Sequence, residues 1–143
     1  MTDMVAFLNA RLDEDEGAAK TATPGPWMTA DGREWLADNV VFGQSVDWPG
    51  HIQQVCNVDY AQHKAGNAEH IARYDPARVL REVEAKRKIV TRYERSLAGD
   101  LPEWKAGREL LIAATAILKG AVVDLAVVYS DHPDYDEAWS AAP

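Results

Sequence analysis

The residues best suited to metal or proton chemistry in this chain are four histidines and a single cysteine. Cys56, His63 and His70 recur at seven-residue spacing, and His51 lies just upstream. Zinc takes deprotonated thiolate and neutral imidazole in tetrahedral geometry. Here there is no C-x-x-C, no H-x-x-x-H and no H-E-x-x-H. The stretch from His51 to His70 also crosses a strand, a loop and a helix. The expectation is therefore no metal site and no cofactor, with an interior thiol and surface or capping histidines.

A second group, His70, Arg73, Asp75 and Arg78, brackets a helix–helix corner. Imidazole, guanidinium and carboxylate groups together bind an anion or shuttle a proton. The same groups cap helices and lock corners through hydrogen bonds. Both readings stand at this level, and the ligand version would take an anion or a nucleotide. Trp27 follows a Pro-Gly-Pro turn and is either a further ligand contact at such a site or a core plug. The third group is the tail motif Asp131, His132, Asp134 and Tyr135, two carboxylates flanking an imidazole. Neither a nucleophile nor an oxyanion donor set accompanies it. No phosphate-binding glycine loop and no G-x-S-x-G elbow occurs, so no catalytic residue is assigned.

These residues must be positioned by elements that the periodicity outlines. Val5, Leu8 and Leu12 form an apolar stripe on a helix over 3–20, capped by Thr2 or Asp3. The acidic run Asp13 to Glu16 reads as a solvated face. Thr23-Pro24-Gly25-Pro26 breaks that helix. Turn signals at Asp31-Gly32, Asp38-Asn39 and Pro49-Gly50 divide the next stretch into an antiparallel meander. Its three or four short strands are expected at 27–29, 34–36, 40–43 and 53–58. A short helix follows over 67–74. Asp75-Pro76 then starts a long one running to Leu97, since aspartate caps and proline suits the first helical position. Val79, Leu80, Val83, Val90, Tyr93 and Leu97 share its apolar side, and Glu82–Lys86 and Glu84–Lys88 are favourable i,i+4 pairs. A last helix over 100–128 carries the seam Trp104, Leu111, Ala114, Leu118, Ala121, Leu125 and Val128. Gly120 within it costs ~1 kcal/mol relative to alanine and is expected to permit close helix approach. The tail 129–143 is ordered by aromatics. The fold class is α+β: an N-terminal helix, a small meander, then a helical half with a long antiparallel hairpin, all in one domain.

Charge and hydropathy narrow the function. The chain has 143 residues and a formal net charge of −8, which argues against general nucleic-acid binding. The charge is uneven, however. Residues 73–95 hold eight Arg and Lys against four Asp and Glu, a local balance of +4. Nucleic acid is thus excluded except through the face of the 76–97 helix. Unbroken apolar runs stop well short of ~18 residues, so no membrane span is expected. The lone cysteine and the absence of a secretory signal pattern point to the cytoplasm.

Four blocks lie in order along nearly the whole chain. They are the segment around Arg11-Leu12-Asp13-Glu14-Asp15-Glu16; Thr23-Pro24-Gly25-Pro26-Trp27; His70-Ile71-Ala72-Arg73-Tyr74-Asp75-Pro76-Ala77-Arg78-Val79-Leu80; and Tyr129-Ser130-Asp131-His132-Pro133-Asp134-Tyr135 through Trp139. Together they resemble a family of small actinobacterial and actinophage proteins of unknown function. More distantly, the pairing of the second and third blocks is similar to the Ead-like proteins of lambdoid phages. The resemblance implies an accessory protein of a phage or mobile element in a bacterial host, and it carries over no catalytic residue. The expected mode of action is non-enzymatic binding of a host or phage macromolecule. The alternative is an anion or nucleotide site at His70, Arg73 and Arg78. A protein partner is expected, and a homodimer through the long helices is a further expectation.

Overall fold

The computed structural model describes residues 3–30, 33, 36–58, 63–100 and 107–140. The fold is α+β. It comprises α1 (Met4–Thr21), β1 (Val40–Gln44), β2 (Ile52–Asn57), α2 (Lys64–Arg73), α3 (Pro76–Leu97), α4 (Arg108–Val127) and a closing 3₁₀ turn (Glu137–Trp139). Two compact units divide the chain, one formed by Met1–Glu14 with Val83–Pro143 and the other by Asp15–Glu82.

In the first unit the core gathers Phe7 and Leu8 of α1, Val90 and Tyr93 of α3, and Val122 and Ala126 of α4, all buried. Asp3 starts α1 as expected, its Oδ1 accepting from the Val5 N–H at 3.1 Å. Two positions on α3 depart from the wheel. Leu97 is 60% exposed, whereas Ser96 is buried. The Ser96 hydroxyl satisfies itself by donating to the Tyr93 carbonyl at 2.7 Å, so a small polar residue takes the inward position in the last turn. Glu84 does pair with Lys88, at 2.6 Å. Glu82 instead bonds Arg78 at 2.7 Å, and the Lys86 ammonium lies 5.6 Å from the Tyr129 ring centre.

The second unit contains the sheet, which is smaller than the meander expected. Its two strands, β1 and β2, pair antiparallel with a bulge between Val41 and Phe42. The expected strand at 27–29 reduces to one bridge, Met28 with Phe42, closed by reciprocal N–H to carbonyl bonds of 2.8 Å. Pro24 and Pro26 just before it have no N–H to extend a ladder. Most of the expected strand at 34–36, and the Asp31-Gly32 turn, lie outside the described residues. The hairpin connection between β1 and β2 turns at Pro49-Gly50, where Gly50 takes φ +84°. That left-handed conformation favours glycine. Helix α2 packs on β1.

The inward face of helix α4 agrees with the sequence reading at Ala114, Leu118 and Leu125 and departs from it at Val128. Ala114, Val122 and Ala126 are its buried residues, and Leu118 and Leu125 pack against the core they join. Val128, placed on the seam by the sequence, is 62% exposed. Trp104 lies outside the described residues. Apolar residues occur on every side of this helix, so spacing alone does not fix where the inward face ends. By length and composition alone, α4 is apolar enough to cross a bilayer, with a mean hydropathy of 2.1.

Candidate functional site

The corner between α2 and α3 is built around Asp75. This carboxylate is buried. Its Oδ1 accepts from the Arg78 N–H at 2.7 Å, which caps α3. Its Oδ2 accepts from the Trp27 N–H at 3.4 Å. A side chain on Gly25 would place its Cβ 2.7 Å from that same Oδ2, so glycine is required there for space. The Trp27 indole in turn donates to the Thr23 carbonyl at 2.8 Å. Gly43 of β1 leaves room for it, since a Cβ there would stand 3.1 Å from Trp27 Cδ1.

Around this clamp the other corner residues are engaged with one another. Arg78 bonds Glu82 through Nε and the Arg73 carbonyl through Nη1 at 3.3 Å. Its guanidinium lies 4.2 Å from the Tyr74 ring centre. The Glu82 hydrogen bond, with the charges of Glu82 and Tyr74 adding to it, raises the Arg78 pKa above its ordinary value. The His70 ring stands 4.8 Å from that of Tyr74, and Arg73 is ion-paired with Glu69. Gly66, Glu69, His70 and Arg73 line an open hollow of about 140 Å³. An anion entering it would meet the Glu69 carboxylate.

The tail motif forms a second constellation, in the other unit. The Phe7 ring is met by Tyr129, His132, Tyr135 and Trp139 at 6.4, 5.7, 6.1 and 5.1 Å between centres. Arg11 of α1 is buried; its Nη1 contacts His132 Nδ1 at 2.8 Å and its Nη2 pairs with Glu14 at 2.6 Å. His132 Nδ1 also accepts from the Asp134 N–H at 3.1 Å. Asp134 Oδ2 lies 3.9 Å from the same nitrogen. Asp136 caps the 3₁₀ turn by accepting from the Ala138 N–H at 3.0 Å. Asp131 is exposed. The imidazole thus joins the tail to α1, and this geometry anchors a segment without presenting a nucleophile to a cavity.

The outer side of α4 exposes several large apolar side chains. Ile112 is 60% exposed and Ile117 is 74% exposed. Ala113, Ala116 and Gly120 between and beyond them are also exposed. A Cβ on Gly120 would meet nothing within 4 Å, so this glycine serves no close approach within the chain. Beside this face runs an apolar groove of about 440 Å³, lined by Tyr93, Leu97, Leu111, Ile112, Thr115 and Ala116 among others.

This chain belongs to a family of unknown function, DUF6221. The match spans residues 1–141, almost the entire chain. No curated protein and no solved structure matches it significantly.

In this DUF6221 chain the equally spaced Cys56, His63 and His70 are dispersed. Cys56 pairs with Val41 inside the sheet, and His63 stands at the N-cap of α2. Among the described residues no three His, Cys, Asp or Glu side chains gather where they could hold a metal ion. Much of the basic stripe is internally paired. Arg87 bonds Asp13 at 2.6 Å and Lys88 bonds Glu84. Arg95 bonds the Asp100 carbonyl at 3.0 Å. Phe7, Arg11, Ile112 and Ile117 were not singled out by spacing. The tail rings around Phe7, and the His132 contact of Arg11, lie over a hundred residues away. The two isoleucines are legible only once the inward phase of α4 is known.

Proposed function

We propose that the protein is a non-enzymatic accessory protein that acts by macromolecular association, and that the outer face of α4 is its association surface. The observation that carries this reading is the exposure of Ile112 and Ile117 on a helix with a mean hydropathy of 2.1. Contiguous apolar surface beyond a few hundred Å² marks interaction sites on soluble chains. The groove beside it supplies the concavity such a contact uses. The engagement of His70, Arg73, Asp75 and Arg78 with neighbouring groups supports a structural role for that corner. The motif blocks carry the further proposal that the setting is the cytoplasm of a bacterial host and that the macromolecule belongs to a phage or its host.

A photo-reactive amino acid placed at position 117, with the full chain expressed in bacterial cells, tests this reading. Irradiation yields a discrete adduct of higher mass, and Ile112→Lys in the same chain abolishes it. Absence of any adduct from positions 112, 116 and 117 overturns the reading.

A further inference from the structure

We infer that the outer face of α4 is covered by a second copy of this chain, with the two α4 helices side by side and parallel. The inference rests on the reading that α4 is the association surface and identifies its occupant.

The outward residues of α4 follow a heptad. Ala113, Gly120 and Val127 are seven apart, with Ala116 and Val123 at the complementary positions between them. These are the a and d positions of a two-stranded seam. Ala113, Ala116, Gly120 and Val127 are exposed, with Val127 at 44%, while Val123 packs partly against the core of its own chain and lies at the seam's inner edge. The seam is narrow because its central residues are Ala, Ala and Gly, and small residues let two helix backbones approach closely. A mid-helix glycine destabilises a helix by ~1 kcal/mol relative to alanine. Gly120 has no contact within its own chain that uses the missing side chain, and a facing helix would use it.

The flanks decide orientation. In a parallel pair, a residue at g meets the residue five positions later, at e, on the partner helix. Ile112 and Ile117 hold this relation, and so do Lys119 and Asp124. One pair is apolar on both sides and the other is oppositely charged. By the two-fold axis each occurs twice. Residues five apart on one helix do not face each other, so Lys119 and Asp124 are not placed to pair within α4. The apolar groove lies on the Ile112 and Lys119 flank, which is where Ile117 of the second copy arrives. Ile117, 74% exposed, is the knob for that groove.

The area is sufficient. A homodimer interface of about 800 Å² per partner with about 65% apolar surface needs about 500 Å² of apolar area from each copy. Leu110, Ile112, Ile117, Val127 and Val128 are 44–74% exposed. With the alanines between them they offer area of that order. A bilayer, the other occupant that such a helix could meet, would have to take up Lys119 near the middle of the apolar stretch, and Asp124 one turn from its end.

The test uses the full chain carrying Cys56→Ser. In this background Ala113→Cys, Gly120→Cys and Val127→Cys are made singly. Sedimentation equilibrium shows a dimer, and under mild oxidation each of the three variants forms a like-to-like disulfide. An antiparallel pair would cross-link only at a position beside its axis, and that pattern overturns the parallel arrangement. Lys119→Glu and Asp124→Lys each weaken dimerisation about tenfold, and the double variant restores it. A folded monomer without cross-links overturns the second copy as occupant. If that monomer still gives adducts from position 117 in cells, α4 remains an association surface for something else; if it gives none, both readings fail. Flotation with vesicles, abolished by Ile117→Lys in a monomeric chain, assigns the face to a bilayer and also overturns the dimer.

Discussion

The contact between Gly25 and Asp75 yields a quantitative prediction. Replacing Gly25 by alanine puts a methyl carbon 2.7 Å from Asp75 Oδ2 and 3.1 Å from its Cγ. The carboxylate cannot retreat freely, because Oδ1 is committed to the Arg78 N–H at 2.7 Å. Overpacking of this kind costs about 2 kcal/mol. Asp75→Ala removes the helix cap and the acceptor for the Trp27 N–H, costing about 2 kcal/mol in its own right. With the Asp75 carboxylate gone, the next-nearest atom is the Ala77 Cβ at 3.5 Å, an ordinary contact. Gly25 does not occupy a positive φ. Alanine at position 25 then becomes neutral, or stabilising by about 0.5 kcal/mol through the unfolded chain. The two substitutions should therefore couple by about 2 kcal/mol, with the double variant no less stable than Asp75→Ala alone. Urea unfolding followed by circular dichroism measures this, since 2 kcal/mol moves the midpoint by about 1 M. Asp75→Asn supplies the control. It keeps the volume and the capping oxygen, so Gly25→Ala should cost as much beside it as beside aspartate. An equal cost of Gly25→Ala beside Asp75 and beside Ala at that position would refute the steric account.

Two further outcomes follow from the packing and the charges. Trp139→Ala, which removes a half-buried ring 5.1 Å from Phe7 and 5.5 Å from Tyr135, should cost about 2 kcal/mol and speed amide exchange between Ser130 and Trp139. Unchanged exchange would show that the aromatics do not hold the tail. The Glu84 carboxyl is held below its ordinary pKa by the Lys88 hydrogen bond first, then by its charge. A lowered folded pKa means that this contribution is present above the ordinary carboxylate range and is lost as pH falls through the folded value. Carboxyl-carbon NMR titration should therefore find Glu84 low in the wild type and raised by Lys88→Met; no difference between the two chains would refute the pairing.

The parts of this fold that spacing made legible are those where a local mechanism fixes the backbone. Asp75-Pro76 is such a place, and α3 begins at Pro76 and ends at Leu97, the limits that capping and proline chemistry impose. The turns at Asp38-Asn39 and Pro49-Gly50 also fall where turn residues place them, on either side of β1. What spacing did not reveal depends on distant partners. Trp27 to Thr29 has β-forming composition, yet it makes a single bridge, and the prolines that precede it cannot extend the ladder. The cluster around Phe7 is silent locally, since a phenylalanine on an apolar helix face says nothing about four rings contributed from beyond residue 128. On α4 the period marked Ala114, Leu118 and Leu125 on the inward side, but a helix apolar on all sides has no strong stripe to fix where that side ends, and Ile112 and Ile117 were not singled out. Once Val122 and Ala126 are fixed inward, the small residues and isoleucines are left as a second, outward stripe, and the heptad from Ala113 to Val127 becomes readable. That outward stripe is what the proposed second copy would cover, as the core of its own unit covers the inward one.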